Sequence, residues 1–375
     1  MKITEVETIM LRVPAVEVTY DGCQEDLVVR IHTDEGIVGV GEVDAMPSVI
    51  KAIIEAPESF AENQGLKRVL LGENPLDVDR IWDKMYQASF WYGRRGAAIH
   101  AISGVDNAIW DIIGKKLSRP VWQLLGGPVT SKIIPYASIY PVPDTAKEIA
   151  ETAKSYTAQG FKAVKIQMHA KQWASKLGKV IDVIRTTRDE IGSDVELIVD
   201  AYQCGWDLST SIKMARAMES LDVFFLEEPL HPDDMDGFAK LSLATCTRIA
   251  TGEHLSGFNE YRDLIERCHV SVVQPDLGKA GGITACRKIA ELARQHNVLF
   301  VPHAWKTDLT IAATIPLLAT FSNSRYLEFC TSKSPLRWKL TRESFQPKNG
   351  YIELTSNSGL GVELDEQTIE RYRVT

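Results

Sequence analysis

Three carboxylates stand at the ends of three consecutive apolar runs in this chain of 375 residues. Asp200 closes the run ELIVD, Glu227 closes VFFLE and Glu253 follows RIATG, which places the three residues 27 and 26 positions apart. One strand, one helix and two loops take about 25–30 residues, so this spacing predicts three adjacent parallel strands. Carboxylates from separate strands suit a hard divalent cation, and we therefore expect Mg²⁺, with Mn²⁺ as a substitute.

Polar residues follow apolar runs on both sides of these carboxylates. Downstream, Asp276, His303 and Glu328 come at further intervals of 23, 27 and 25 residues, and upstream Lys165 lies in KAVKIQM. With the run from Lys132 to Tyr140, eight β-type segments alternate with amphipathic helical patterns, and eight parallel strands close a barrel. Since the active site of such a barrel forms at the C-terminal ends of its strands, we expect these side chains to share one pocket.

The first third of the chain has a different pattern. Residues 1 to about 45 alternate as strands do, and the pattern from Met46 to Gly126 is helical and ends in LLGG. This order predicts an α+β domain over residues 1–126 that caps the open end of a barrel over residues 127–340. Residues 341–375 are expected to return to the capping domain.

The composition favours an ordinary enzyme, with 45% hydrophobic and 25% charged residues. A net charge of −8 without a lysine- or arginine-rich block argues against nucleic acid and favours a small-molecule substrate. The first residues lack the apolar segment of a signal peptide and no run reaches ~18 apolar residues, so we expect a cytoplasmic protein that makes no membrane contact. The six cysteines form no C-x-x-C pair, which argues against a zinc site or a disulfide framework.

The order of these motifs resembles the mandelate racemase-like subgroup of the enolase superfamily. The resemblance rests on AISGVDNAIWDIIGKKLSRPVWQLLGG, the three carboxylates, QPDLGKAGG, His303 and Glu328, and it covers nearly the whole chain. It implies an α/β fold, a modified TIM barrel (β/α)7β with an N-terminal α+β capping domain, and a symmetric homo-oligomer. It also implies removal of the proton α to a carboxylate, with the cation stabilising the enediolate charge.

The resemblance implies roles for four polar residues of the barrel. His303 acts as general base and acid, and Asp276 orients its imidazole. Glu328 is expected in its protonated form, donating a hydrogen bond to the substrate carboxylate, because a crowded anionic pocket favours the neutral acid. Lys165 is expected to contact the same carboxylate.

The second barrel strand departs from that subgroup, which commonly has Lys-x-Lys where this chain has Lys-Ile-Gln at 165–167. The amide of Gln167 cannot take a proton from carbon, so we assign it to substrate binding. Proton transfer between the two faces of a carbon needs two acid/base groups, whereas elimination of water needs one, so the change favours a dehydratase. Tyr202 and His169 are the alternatives for a second acid/base, and Lys279 is expected to be structural.

Tyr20, Trp305, Lys306 and Gln167 are the predicted substrate contacts. Tyr20, Gln24 and Lys306 favour a polyhydroxy acid over an aromatic one, so we expect a sugar acid, an aldonate or aldarate that would leave as a 2-keto-3-deoxy acid. Two alternatives stay open. A racemase, an epimerase or a lactone cycloisomerase would use the same enediolate with an acid or base that the sequence does not identify. A non-catalytic acid-binding protein is disfavoured because the other site residues are all present.

Overall fold

The computed structural model describes residues 1–15, 17, 19, 22–59, 63–168, 177–202 and 206–374. The chain begins with an antiparallel sheet of three strands, β1 (Ile3–Arg12), β2 (Glu25–Thr33) and β3 (Val38–Val43). Gly36 takes a φ of 76° in the turn between β2 and β3, a left-handed conformation that glycine adopts without steric cost. The predicted α+β start of the fold is confirmed.

A helical layer covers this sheet. Its helices are Pro47–Glu55, Leu66–Leu70, Val78–Ala88, Phe90–Gly93, Ala97–Leu117 and Val121–Leu124. The 21-residue helix Ala97–Leu117 lies against β3, where glycines on both elements let the backbones approach closely. A Cβ atom built on Gly41 would lie only 2.1 Å from the carbonyl oxygen of Gly104.

This close approach gives a stability prediction. We expect Gly41→Ala to lower the free energy of unfolding by about 1–3 kcal/mol, because the new methyl group has no space beside the helix backbone. Gly178→Ala is the matched control, since a Cβ atom there meets nothing within 4 Å and the residue lies within a helix. The control should be neutral or stabilise by about 0.5–1 kcal/mol. Urea unfolding of both variants measures the difference; equal stabilities would contradict the packing argument.

The second half of the chain forms the predicted sheet of eight parallel strands. The strands are β5 (Pro135–Ser138), β6 (Ala163–Gln167), β7 (Glu196–Asp200), β8 (Val223–Glu227), β9 (Ile249–Thr251), β10 (Val272–Val273), β11 (Leu299–Phe300) and β12 (Leu327–Cys330). They stand in the order β11-β10-β9-β8-β7-β6-β5-β12, so β5, the first of them in the chain, pairs with β12, the last. Phe300 on β11 donates its backbone N–H to the carbonyl of Asn323 at 3.0 Å, which joins β11 to the segment that leads into β12.

The sequence pattern indicated one strand from Lys132 to Tyr140, but the structure has two strands there. β4 (Lys132–Ile133) leaves the barrel and pairs antiparallel with β13 (Ile352–Glu353), and only β5 enters the barrel. Pro135 stands at the division, where its missing N–H cannot extend the first ladder. The remaining helices are Ala146–Ala158, Leu177–Ile191, Leu208–Glu219, Met235–Ala244, Phe258–Cys268, Gly282–Gln295, Asp308–Thr320, Pro335–Lys339 and Glu366–Tyr372.

The capping elements and the barrel share one hydrophobic core. Polar contacts reinforce the junction: Trp110 donates its indole N–H to Thr284 at 2.8 Å, and Asn107 donates to the carbonyl of Leu277 at 3.0 Å. At the C-terminal end, Val374 donates its N–H to the carbonyl of Met10 on β1 at 2.8 Å. None of the helices in the described ranges is long and apolar enough to cross a membrane.

Candidate active site

A cavity of about 170 Å³ opens at the C-terminal ends of the barrel strands, under the capping domain. Active sites of parallel βα barrels form at this end, because the βα loops begin there. The residues that line it are Gly22, Asp44, Tyr140, Lys165, Gln167, Asp200, Tyr202, Glu253, His254, Lys279, His303 and Trp305.

The three predicted metal ligands end adjacent strands or directly follow them. Asp200 and Glu227 are register partners on β7 and β8, and Glu253 comes two residues after β9. All three are buried, with 3%, 0% and 7% of their surface exposed. Asp200 Oδ1 accepts the backbone N–H of Tyr202 at 2.7 Å, and Glu227 Oε2 accepts from the Gln274 amide at 2.9 Å. These bonds fix the orientation of the Asp200 and Glu227 carboxylates.

Lys165 lies among these carboxylates with 1% of its surface exposed. Its ammonium nitrogen is 2.6 Å from Glu227 Oε1, 2.8 Å from Glu328 Oε1 and 3.6 Å from Asp200 Oδ2. Burial opposes the charge, but the carboxylates more than offset it and hold the pKa of Lys165 well above its usual value. Lys165 is therefore a permanent cation.

The charge in this cluster is unbalanced towards the negative. Burial raises the pKa of Asp200 to about 6 and raises that of Glu227 as well, although Lys165 acts in the opposite direction on both. Three buried carboxylates face the one ammonium group of Lys165, an arrangement that a further cation would stabilise. In the described part of the chain, ligand atoms within 4.8 Å of one another occur in two groups, Glu228–Glu253–His254 and Asp44–Asp276–His303, and not in the predicted trio.

His303 and Asp276 are in direct contact. Nδ1 of the imidazole is 2.5 Å from Asp276 Oδ2, while the other carboxylate oxygen accepts the N–H of Gly278 at 2.5 Å. Nε2 lies 3.8 Å from Glu253 Oε2 and 4.0 Å from Glu328 Oε2. Asp276 comes three residues after the end of β10, and His303 comes three residues after the end of β11. Both residues therefore stand in the loops that follow these strands. The dyad is thus set by loop geometry.

The electrostatics of His303 follow from its carboxylate neighbours. Burial lowers the pKa of the imidazole, but the charges of Glu253 and Glu328 and the hydrogen bond to Asp276 raise it to about 10. Since Glu253 is the largest of the raising influences, any neutralisation of that carboxylate moves the pKa of His303 down, towards the range of a working base.

Glu328 lies between two groups that favour its charged form. Its Oε2 accepts the backbone N–H of Ala304 at 3.0 Å, and its Oε1 is 2.8 Å from the Lys165 ammonium. Burial raises the pKa of Glu328, but Lys165 and His303 more than offset this and bring it below the usual value. These neighbours favour the charged form of Glu328, and the protonated form expected beside a substrate carboxylate stays a prediction.

Two of the predicted substrate contacts line the cavity. Gln167 ends β6 with 8% of its surface exposed. Trp305 stands edge-on to Tyr140, with ring centroids 5.7 Å apart. Gly22, from the capping domain, packs on the same indole, since a Cβ atom there would lie 2.4 Å from the Trp305 ring.

The remaining candidates are the substrate contacts Lys306 and Tyr20 and the two alternatives for a second acid/base, Tyr202 and His169. Lys306 lies behind the cavity wall with 5% of its surface exposed, donating to the carbonyl of Glu25 at 3.2 Å. Tyr202 lines the cavity and holds a φ of 41°, which is unusual for a residue with a side chain. Tyr20 and His169 lie outside the described residues.

Sequence reasoning missed Asp44 and His254 and assigned Lys279 to structure alone, although all three line the cavity. Lys279 pairs with Asp44 at 2.9 Å, and His254 Nε2 is 3.2 Å from Glu253 Oε1. A signal for Asp44 was present, because it follows the apolar strand VGVGEV as the barrel carboxylates follow theirs. Nothing local indicated that the end of a capping strand would reach the barrel pocket.

Family models match both parts of the chain. The mandelate racemase / muconate lactonizing enzyme N-terminal domain matches residues 3–126, and the enolase C-terminal domain-like model matches residues 148–368. The chain belongs to the enolase superfamily. Within it, the paired models and the strand-end carboxylates place it in the mandelate racemase-like subgroup, as the sequence motifs predicted.

Relatives of this superfamily member have named activities. It is 31% identical over 351 residues to an arabinonate dehydratase of Saccharolobus solfataricus, covering 93% of this chain and 91% of that protein. It is 29% identical to a D-galactarolactone cycloisomerase of Agrobacterium fabrum, covering 100% and 99%. The crystal structure of the 3,6-anhydro-D-galactonate cycloisomerase from Zobellia galactanivorans superposes with a TM-score of 0.88 at 31% identity, covering 100% of both chains. The chain is an enzyme of the mandelate racemase-like subgroup.

Proposed function

We propose that this enolase-superfamily enzyme is a Mg²⁺-dependent dehydratase of a sugar acid. It removes the proton α to the carboxylate and eliminates the 3-hydroxyl, and the enol product tautomerises to a 2-keto-3-deoxy acid. The observation that carries the proposal is that, among the described residues of the cavity, the His303–Asp276 pair is present while the amide of Gln167 stands where the subgroup commonly has a second lysine.

Asp200, Glu227 and Glu253 are the proposed ligands of the metal. Their donor atoms are all carboxylate oxygens, they are buried, and the cluster around them carries more negative than positive charge, which fits a hard divalent cation. When bound there, Mg²⁺ supplies stabilisation of the negative charge that develops on the substrate carboxylate as the α-proton leaves.

His303 is the proposed base and acid. The bond between Nδ1 and Asp276 fixes the tautomer that leaves Nε2 able to accept a proton, and Nε2 is the atom that faces Glu253 and Glu328. After Nε2 takes the α-proton, the imidazolium can return it to the departing 3-hydroxyl. One group on one face thus completes the elimination.

The two lysines that line the cavity are unsuited to act as a second base. Lys165 is held protonated by Glu227 and Glu328, and Lys279 by Asp44, which keeps its pKa above the usual value. Lys165 is better suited to hold the substrate carboxylate, and Gln167 and Trp305 to bind its hydroxyls. This distribution favours elimination over racemisation.

Lactone cycloisomerisation is the second candidate function. The similarity to two cycloisomerases, one of them over the full length of both chains, favours it over racemisation. Ring opening also begins with loss of the proton α to the carboxyl carbon, so the dyad would serve in the same way.

Proton NMR in D₂O with Mg²⁺ separates these functions. The panel contains aldonic acids, aldaric acids and their lactones, and the signals of the C2 and C3 protons are followed together. A new 3-deoxy methylene signal is the expected result. Ring opening of a lactone by β-elimination leaves the same methylene group, so this signal from a lactone but from none of the open-chain acids would establish the cycloisomerase. C2 exchange alone would establish an epimerase, and an unchanged spectrum across the panel would contradict the sugar acid proposal.

A further inference from the structure

A carboxylate of the capping domain, Asp44, lies on the Nδ1 side of the dyad. Its side chain is 14% exposed, with Oδ2 2.9 Å from Lys279 Nζ and 3.9 Å from His303 Nδ1. Its Oδ1 is 3.6 Å from Lys306 Nζ. Each lysine stands three residues after one member of the dyad, Lys279 after Asp276 and Lys306 after His303. Asp44 thus contacts both loops that carry the dyad.

The backbone in this region is packed as closely as the side chains. A Cβ atom on Gly278 would lie 2.7 Å from the Asp44 backbone nitrogen and 3.0 Å from Asp276 Oδ1, so a larger residue there would separate the two segments. The N–H of Gly278 also donates to Asp276 Oδ1 at 2.5 Å. The capping helix holds the same loop from another side, through the bond from Asn107 to the carbonyl of Leu277. The loop 276–279 is therefore clasped by the capping domain.

The negative charge of Asp44 is compensated by the ammonium groups of Lys279 and Lys306. Burial penalises the carboxylate of Asp44, but Lys279 and Lys306 more than offset this and hold its pKa well below the usual value. Asp44, Asp276 and His303 also bring ligand atoms within 4.8 Å of one another, but the two ammonium groups on Asp44 already supply positive charge there. Removing one partner of such a buried pair leaves the other uncompensated, so the loop would be expected to move.

We infer that the ion pair between Asp44 and Lys279 is a positioning element that holds Asp276, and through it the imidazole of His303, in its working orientation. The inference rests on the proposed role of His303 as the base. It makes the capping domain part of the catalytic apparatus, because the dyad is correctly placed only when the end of β3 is seated on the loop 276–279.

The test uses two readouts on the full-length protein with Mg²⁺. The first is the downfield proton resonance of the short His303 Nδ1–H···Asp276 bond, assigned by its loss in His303→Asn. The second is steady-state kinetics on a substrate found in the NMR panel. We expect Asp44→Asn and Lys279→Met each to shift or broaden the resonance and to lower kcat by about 10- to 100-fold, with KM changed by less than about threefold.

Three further variants sharpen the result. Asp44→Glu keeps the carboxylate and should recover most of kcat. The double variant Asp44→Asn/Lys279→Met leaves neither charge of the pair without its partner, so it should fold even if a single variant does not. Its kcat should be no lower than that of the less active single variant. Asp79→Asn is the matched control, because it breaks another ion pair between the capping domain and the barrel, to Arg287 at 2.7 Å, far from the dyad; its kcat and resonance should be unchanged.

Several outcomes would overturn the inference. The first is a resonance and a kcat at the wild-type level in the Asp44 and Lys279 variants. The second is a rise in KM alone, which would assign the pair to substrate binding. The third is a fall in kcat with an unchanged resonance. Failure of the proposed function is distinguishable, because a wild-type protein that turns over none of the sugar acids still shows whether the resonance depends on Asp44.

Discussion

Replacing His303 with asparagine should abolish exchange of the substrate C2 proton while leaving metal binding intact. The imidazole is the proposed base, and general acid–base catalysis contributes about 100- to 10,000-fold to the rate. We therefore expect kcat to fall by at least about 100-fold. Asparagine keeps a polar side chain of similar reach but cannot accept the proton. Hydrogen–deuterium exchange at C2 measures the chemical step, and isothermal titration with Mg²⁺ measures the metal site.

The histidine chosen as control should be remote from the cavity. His296→Asn changes an exposed residue at the end of the helix Gly282–Gln295, and we expect it to exchange the C2 proton at the wild-type rate. If His303→Asn still exchanged that proton normally, the dyad would not be the base, and His254 would become the imidazole to test, because it also lines the cavity.

Glu227→Gln should remove both metal binding and activity. Glu227 is fully buried and holds Lys165 at 2.6 Å and the Gln274 amide at 2.9 Å, so the substitution removes a proposed ligand and leaves Lys165 with less negative charge around it. Loss of residues that only support metal ligands costs about 10- to 100-fold in affinity, so loss of a ligand itself should cost more than about 100-fold. Titration with Mn²⁺, followed by its paramagnetic resonance, measures this independently of turnover.

The neighbouring glutamate is a matched control that separates two ligand sets. Glu228 turns away from Glu227, with its Oε1 accepting from Thr251 at 2.8 Å and its Oε2 3.5 Å from His254. If Asp200, Glu227 and Glu253 hold the metal, Glu228→Gln should keep most of the affinity. If the metal instead belongs to the group Glu228–Glu253–His254, Glu228→Gln should lose it and Glu227→Gln should retain it, which would contradict the proposed ligands.

The positions of the barrel carboxylates were predictable because their signal is local and repeats. A strand that ends in a charged residue, followed by a helix of ordinary length, recurs at nearly constant intervals, and parallel pairing then brings Asp200 and Glu227 side by side. The same intervals predicted Asp276, His303 and Glu328, although the first two stand three residues after their strands and Glu328 lies within β12. It did not reach Asp44, because the strand that precedes it belongs to another sheet whose placement depends on packing between domains.

Ionisation was the other property that the sequence pattern could not supply. Glu328 was expected to be neutral in an anionic pocket, yet the ammonium of Lys165 at 2.8 Å favours the charged form. A pKa depends on distances of a few ångströms between side chains on different strands, and residue spacing does not specify those distances.

The sequence by itself determined the superfamily through the resemblance of its ordered motifs. It determined the eight parallel strands and the polar residues at or near their ends through hydrophobic periodicity and spacing along the chain. Tertiary structure alone decided which of these charges pair, and that Asp44 reaches Lys279 across 235 positions of sequence. The physical reason is that both outcomes depend on the docking of the capping domain, which joins residues far apart in the chain through contacts that no local pattern encodes.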